Sequence, residues 1–306
     1  MNPFLVIGGP TASGKSALAL KLAKDFNGEI INGDSVAMYR RFDIGTAKPS
    51  KQDRKLVTHH LIDILDPEEE LDAARYGDLA LAKIDELHNM GKLPIVVGGS
   101  GLYLRALMRE NFHDLPHSPA LRSELSALSN TELLTKLQLM DPERASKIHP
   151  NDHFRLARAL EIITLTGKTM AQLTGEPSKV NKHGAIIITI EPDRATLHQR
   201  IAARTVKMME EGLLEEVKEI LASGVSRNAK PFSTIGYKQV LAFFQGNLEL
   251  NKLQDQIIFA TRQLAKRQCT WFNKLSSDIR LENENLTPEA LDSLQKAIDT
   301  KKLFGN

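Results

Sequence analysis

The chain has 306 residues, 42% of them hydrophobic, enough to bury one sizeable core and to carry a second, smaller unit. Its 40 Lys and Arg against 38 Asp and Glu leave a formal net charge of +2 and no polyionic tail, so any basic binding surface has to come from local clustering. A single cysteine, Cys269, excludes a disulfide framework and every multi-cysteine zinc site, and no stretch approaches the ~18 apolar residues of a membrane span. The expectation is a cytoplasmic monomer without a membrane partner.

In chain order, a β-rich run at 4–8 ends in glycines and is followed by Leu18, Leu22 and Phe26 at i, i+4, i+8, which reads as strand, loop, helix. Further strand-like runs stand at 29–32, 94–97 and 185–191, with a helical pattern at 74–90 closed by Gly91. Between about 112 and 184 the texture becomes Leu/Ala/Ser/Glu-rich and helical. The pattern predicts an α/β fold: a P-loop NTPase-like parallel sheet flanked by helices, built from 1–112 and 185–306, with an inserted all-helical subdomain at 113–184. After 191 the chain is mostly helical, and the last twenty or so residues are polar enough to fray.

Gly9, Pro10, Thr11, Ala12, Ser13, Gly14, Lys15 and Ser16 satisfy G-x-x-x-x-G-K-[ST] between a predicted strand and a predicted helix. The glycines let backbone N–H groups converge on phosphate oxygens, the helix presents its positive end, Lys15 adds a point charge, and Ser16 can reach a magnesium ion. The motif leaves the phosphate compound open. A nucleotide hydrolase adds an apolar strand ending in an acid, yet the best such run, 93–97, ends in Gly98, Gly99 and Ser100. The acid that does follow a strand is Asp34, which by analogy with small-molecule kinases faces the acceptor of a transferred group. The alternative is a turn or capping role.

Three segments carry basic residues on one helical side: Arg155 with Arg158; Arg200, Arg204 and Lys207; and Arg262 with Lys266. Each is either a solvated face or a phosphate site. In the last, Leu253, Ile257, Ala260 and Leu264 form an apolar stripe that extends to Trp271, placing the chain's one tryptophan as a core anchor or, alternatively, a stacking platform, with Arg262 and Lys266 opposite. His59 and His60 point to opposite faces of an extended run and have no third ligand at metal spacing, which leaves structural or substrate-contact roles.

Taken together, GPTASGKS at 9–16, DIGTAKP at 43–49, HHLIDILDP at 59–67, GGSGLYLRAL at 98–107, IHPND with RLARALEI at 148–163, IGYK at 235–238 and TRQLAKRQCTWF at 261–272 resemble the tRNA dimethylallyltransferases, also called tRNA isopentenyltransferases. They run in that family's order over nearly the whole chain. The resemblance implies that the loop at 9–16 holds the diphosphate of dimethylallyl diphosphate in place of ATP, with Mg²⁺ between Ser16 and the leaving group and Arg204 near the diphosphate. It implies Asp34 as general base, helped by Ser100, and RNA contacts at Asp34, Ser35, Val36 and Ala37. Further RNA contacts fall at Phe154, Arg155, Leu156, Ala157 and Arg158, and at Lys266, Arg267, Gln268, Cys269, Thr270, Trp271, Phe272 and Asn273. The implied target is the adenosine 3′ of the anticodon in tRNAs reading codons that begin with U. Two positions depart from many relatives: Ala37 stands for glutamine and Ser100 for threonine. The competing readings are an ATP-using small-molecule kinase and a non-catalytic RNA-binding P-loop protein.

Overall fold

The computed structural model describes residues 2–108, 115–174 and 184–303. Strands β1 (Phe4–Gly8), β2 (Gly28–Asn32), β3 (His59–His60), β4 (Leu93–Gly98), β5 (Ala185–Ile190) and β6 (Ile279–Leu281) form one sheet in the order β3-β2-β4-β1-β5-β6, every neighbouring pair parallel. In chain order the helices of this unit are α1 (Lys15–Asp25), α2 (Lys51–Leu56), α3 (Ala73–Asn89) and α4 (Gly101–Leu107). The chain divides into two compact units, Met1–Met108 with Lys182–Asn306, and Arg109–Asn181. The second contains α5 (Pro119–Ser126), α6 (Asn130–Met140), α7 (Pro142–Lys147), α8 (His153–Thr166) and α9 (Met170–Thr174), with no strand among its described residues. Of the expected borders of the insertion, 112 and 113 lie outside the described residues. The first unit then continues with α10 (Arg194–Glu210), α11 (Leu213–Ala222), a 3₁₀ turn (Lys230–Ser233), α12 (Tyr237–Phe244), α13 (Leu250–Phe272) and α14 (Pro288–Leu303).

Central strands buried on both faces need apolar residues at every position, and β1 and β5 are buried throughout. Leu5, Ile7, Ile95, Ile186 and Ile188 meet Leu18 and Leu22 of α1 and Leu294 and Ile298 of α14 in one cluster. Fraying was expected of the last twenty residues, of which 304–306 lie outside the described residues; up to Ile298 it is corrected, because Ala290, Leu294, Ala297 and Ile298 recur at helical spacing and pack α14 against the sheet. The helical unit has its own core, including Leu133, Leu137, Leu156 and Leu160. Among the described residues no helix is long and apolar enough to cross a membrane.

The carboxyl ends of the strands are lined by glycines that admit close neighbours. A Cβ on Gly8 would lie 2.4 Å from the Phe272 ring, and one on Gly101 would lie 2.5 Å from Trp271, so α13 and the residues beside it seat directly on this edge. The closest approach is backbone to backbone: a Cβ on Gly98 would stand 2.2 Å from the Gly33 carbonyl oxygen, which no rotamer change can relieve. Gly98→Ala should therefore cost about 1–3 kcal/mol through backbone displacement, read as a lowered urea midpoint with unchanged m-value.

The buried face of α13 differs from expectation. Leu253, Ile257, Ala265 and Phe272 are buried, whereas Ala260, Leu264 and Trp271 are half-buried. The expected stripe followed a 3.5-residue repeat, which rotates by about 20° per heptad from a straight helix of 3.6 residues per turn. Phe272 is consequently the core anchor, and Trp271 lies between Gly101 and the Arg105 guanidinium, 5.9 Å from the ring centroid. Arg262 is likewise half-buried instead of freely solvated.

Candidate active site

The chain leaves β1 through Gly8 and Gly9 and turns back with Ala12 and Gly14 in the left-handed region (φ 62° and 96°), so that α1 starts at Lys15. In this loop the Ser13 hydroxyl is buried without a hydrogen-bond partner, and the Lys15 ammonium donates to the Pro10 carbonyl at 2.6 Å. Burial, and then the neighbouring Arg204 guanidinium, push the Lys15 pKa down to about 7 from the ordinary 10.5. The loop thus brings together a helix N-terminus, an underpartnered hydroxyl and a lysine that is costly to charge alone, a combination with the chemistry to accept a multiply charged anion.

Helix α10 brings Arg200 and Arg204, one turn apart, to the same place. Arg204 donates to Thr11 Oγ1 at 3.2 Å and to the Thr46 carbonyl at 3.3 Å, while Arg200 donates to the Ser13 carbonyl at 3.3 Å. Lys207, the third member of the cluster, is exposed and pairs with Glu211. Gln268 of α13 clips the loop from the other side, accepting from the Thr11 N–H at 2.9 Å and donating to the Gly99 carbonyl at 3.0 Å.

Asp34 is held by Asn32, the last residue of β2 and 8% exposed. The Asn32 amide donates to the Asp34 and Leu61 carbonyls at 2.9 and 3.0 Å and accepts from the Asp34 N–H at 3.0 Å. One Asp34 carboxylate oxygen accepts from the Val36 N–H at 2.9 Å, so the capping role weighed for this residue is present. Asp34 also lines two cavities, one of about 440 Å³ over the phosphate loop and one of about 130 Å³. Both contain Thr11, Asp34, Thr46, Arg204 and Gln268; the smaller is otherwise mostly apolar, with Ile201, Met208, Ile235, Ile257 and Leu264. Ser100 does not hydrogen-bond Asp34; its hydroxyl accepts from the Ser35 N–H at 3.4 Å. This contact ties it to the backbone just after Asp34. Ala37, expected beside the RNA, is buried and lines the larger cavity.

The segment at 43–49 forms the rim. Glu216 of α11 accepts from the N–H groups of Asp43 and Ile44 at 2.9 and 2.8 Å and from the Tyr237 hydroxyl at 2.6 Å, while Gly45 approaches the Tyr237 ring too closely for any side chain. Lys48, whose side chain is 2% exposed, donates to Asp43, Asp63 and the Tyr39 carbonyl. This network fixes Thr46 against Arg204. His59 also lines the larger cavity, where burial lowers its pKa, and His60 bonds Glu29 at 2.7 Å.

Other expected contact residues divide by exposure. Lys266, Arg267, Thr270 and Asn273 are exposed, Cys269 is half-buried, and in the helical unit Phe154 is 68% exposed with Arg155 beside it. Three side chains are corrected from RNA contact to packing: Leu156 and Ala157 lie in the core of the helical unit, and Phe272 is buried against Gly8. Arg158 is committed within its unit to Glu161 and the Leu115 and Pro116 carbonyls. Sequence reasoning missed Asn32 and Glu216; a lone amide ending an apolar strand was the available signal for the first, and nothing local marked the second.

A family model described as IPP transferase matches residues 37–275. Similar curated proteins include tRNA dimethylallyltransferase 1 of Citrifermentans bemidjiense, 45% identical over 271 residues (88% of this chain, 89% of that protein), and the tRNA dimethylallyltransferase of Bacillus subtilis, 42% identical over 280 residues (90% and 89%). Among solved structures, the full-length tRNA isopentenylpyrophosphate transferase of Bacillus halodurans superposes with a TM-score of 0.73 at 35% identity, covering 100% of this chain and 99% of that one. A eukaryotic dimethylallyltransferase acting on tRNA gives a TM-score of 0.80 at 29% identity, covering 99% and 79%. The family model and relatives more than 40% identical over nearly the whole of both chains place this chain in the tRNA dimethylallyltransferase (IPP transferase) family.

Proposed function

We propose that the protein transfers the dimethylallyl group of dimethylallyl diphosphate to the exocyclic amine of a tRNA adenosine, the one 3′ of the anticodon in tRNAs that read codons beginning with U. The observation that carries this reading is the position of Asp34 where two cavities share a wall with Arg204 and the phosphate loop. An anion receptor and a candidate base thus flank one reaction space. An adenine amine is a poor nucleophile because its lone pair is delocalised into the ring, so attack on the allylic carbon needs help at both ends. Asp34 accepts the amine proton as the N–C bond forms. As the C–O bond breaks, the loop N–H groups, Lys15 and Arg204 stabilise the departing diphosphate.

The Ser16 hydroxyl, exposed at the start of α1, fits a Mg²⁺ ion held chiefly by substrate oxygens and water, the coordination this ion prefers. Among the described residues no group of three His, Cys, Asp or Glu is placed to hold a metal ion. Bound there, the ion would offset the leaving group's charge. Phe154, Arg155, Lys266, Arg267, Thr270 and Asn273 supply exposed cationic, aromatic and polar groups for the RNA, and the protein acts as a monomer. Extruding a loop adenosine costs less than flipping one from a duplex.

The test incubates the protein with Mg²⁺, unmodified tRNA and radiolabelled dimethylallyl diphosphate, then digests the RNA. Labelled N6-dimethylallyladenosine is the expected product. A folded protein that binds the donor and transfers no label would instead require the kinase reading and a screen of ATP-dependent acceptors.

A further inference from the structure

A carboxylate stands at the mouth of the phosphate loop. Glu284, three residues beyond β6, lines the larger cavity together with Ser13, Gly14 and Lys15, and a Cβ on Gly14 would lie 2.5 Å from its Oε2. Arg200 grips it with both arms, Nη1 to Oε2 at 2.8 Å and Nη2 to Oε1 at 3.1 Å, while Nη1 also donates to the Ser13 carbonyl. Arg204, one turn further along the same face, has no carboxylate at ion-pair distance among the described residues. Of the two arginines at the loop, one is already engaged by an acid and the other is available to an anion.

We propose that Glu284 is a built-in competitor of the diphosphate, holding Arg200 while the loop is empty and yielding it when donor arrives, so that it sets the affinity for donor and product. The inference rests on the reading of the loop as the diphosphate site. A carboxylate and a phosphate offer a guanidinium the same fork of acceptors, so Arg200 can exchange one for the other without leaving the loop. The Glu284 charge, on a half-buried side chain, also repels an anion bound within a few ångströms. The consequence for turnover is release. Diphosphate, freed of its allylic group, carries more charge than the donor and would be held more tightly by an uncontested loop; return of Arg200 to Glu284 offsets this. Glu284 is therefore a positioning residue that acts through Arg200.

The test measures binding of inorganic diphosphate to the full chain by calorimetry. Glu284→Gln should bind about tenfold more tightly than wild type, Arg200→Gln about tenfold more weakly, and the gain from Glu284→Gln should shrink in the Arg200→Gln background. Loss of a merely structural prop would weaken binding, so tightening separates the two roles. With dimethylallyl diphosphate and tRNA, Glu284→Gln should lower both KM for the donor and kcat, as release slows. Glu284→Ala carries the same expectation if the glutamine variant folds poorly. Unchanged or weaker diphosphate binding in folded variants overturns the competitor role alone. A wild-type protein that takes up no diphosphate overturns it together with the donor reading.

Discussion

Asp34→Asn is expected to slow single-turnover prenyl transfer by about 10³-fold, within the usual range for loss of a general base, while leaving the binding of donor and tRNA near wild type. The substitution isolates proton transfer because an amide oxygen can still accept from the Val36 N–H, and Asn32 holds the Asp34 backbone from both sides. The turn should survive, and thermal stability should shift by no more than about 0.5 kcal/mol. What disappears is an oxygen basic enough to take the amine proton. Because the effect sits in the chemical step, it should appear in the rate constant with saturating donor and RNA. A variant that binds both substrates and transfers at near wild-type rate would show that the proton leaves by another route.

The parts of this molecule legible in its sequence are those whose determinants are local. β1, the loop at 9–16 and α1 read directly because glycine spacing, a lysine and a helical apolar period all fall within one short stretch, and the parallel sheet follows from alternating strand and helix patterns. Asp34 was visible as an acid after a strand, and in the structure it both caps the turn and lines the larger cavity. β3 and β6 were not visible, since strands of two and three residues at a sheet's edges carry too few positions to show a period. The site's remaining walls were hidden by distance along the chain. Gln268 meets Thr11 across 257 positions, Arg204 meets Thr11 across 193, and Glu216 meets the N–H of Ile44 across 172. DIGTAKP stood out only as a likeness; its physical role is to offer successive N–H groups to one carboxylate, which no reading of 43–49 alone could supply.

Lys15→Met should reduce transfer by about 10²–10³-fold, the usual scale for removing one group that stabilises developing anionic charge. It should also abolish a proton-linked signature that no other residue at the loop shares. In the empty protein, burial and Arg204 hold Lys15 at a pKa of about 7, against 10.5 ordinarily. From pH 7 to about 10, then, the unfolded chain binds more protons at this residue than the empty folded one, and the lysine's contribution to stability rises with pH across that window. A bound diphosphate reverses the balance by restoring the ammonium form, so binding at pH 8 should take up about one proton and affinity should fall as pH rises above 7. Calorimetry in two buffers of different ionisation enthalpy reads the uptake, and the difference between wild type and Lys15→Met removes the contribution of diphosphate's own ionisation. Equal uptake in both proteins would mean that Lys15 does not face the anion; uptake lost together with a rate fallen by two orders of magnitude or more would tie the same ammonium to binding and to departure of the leaving group.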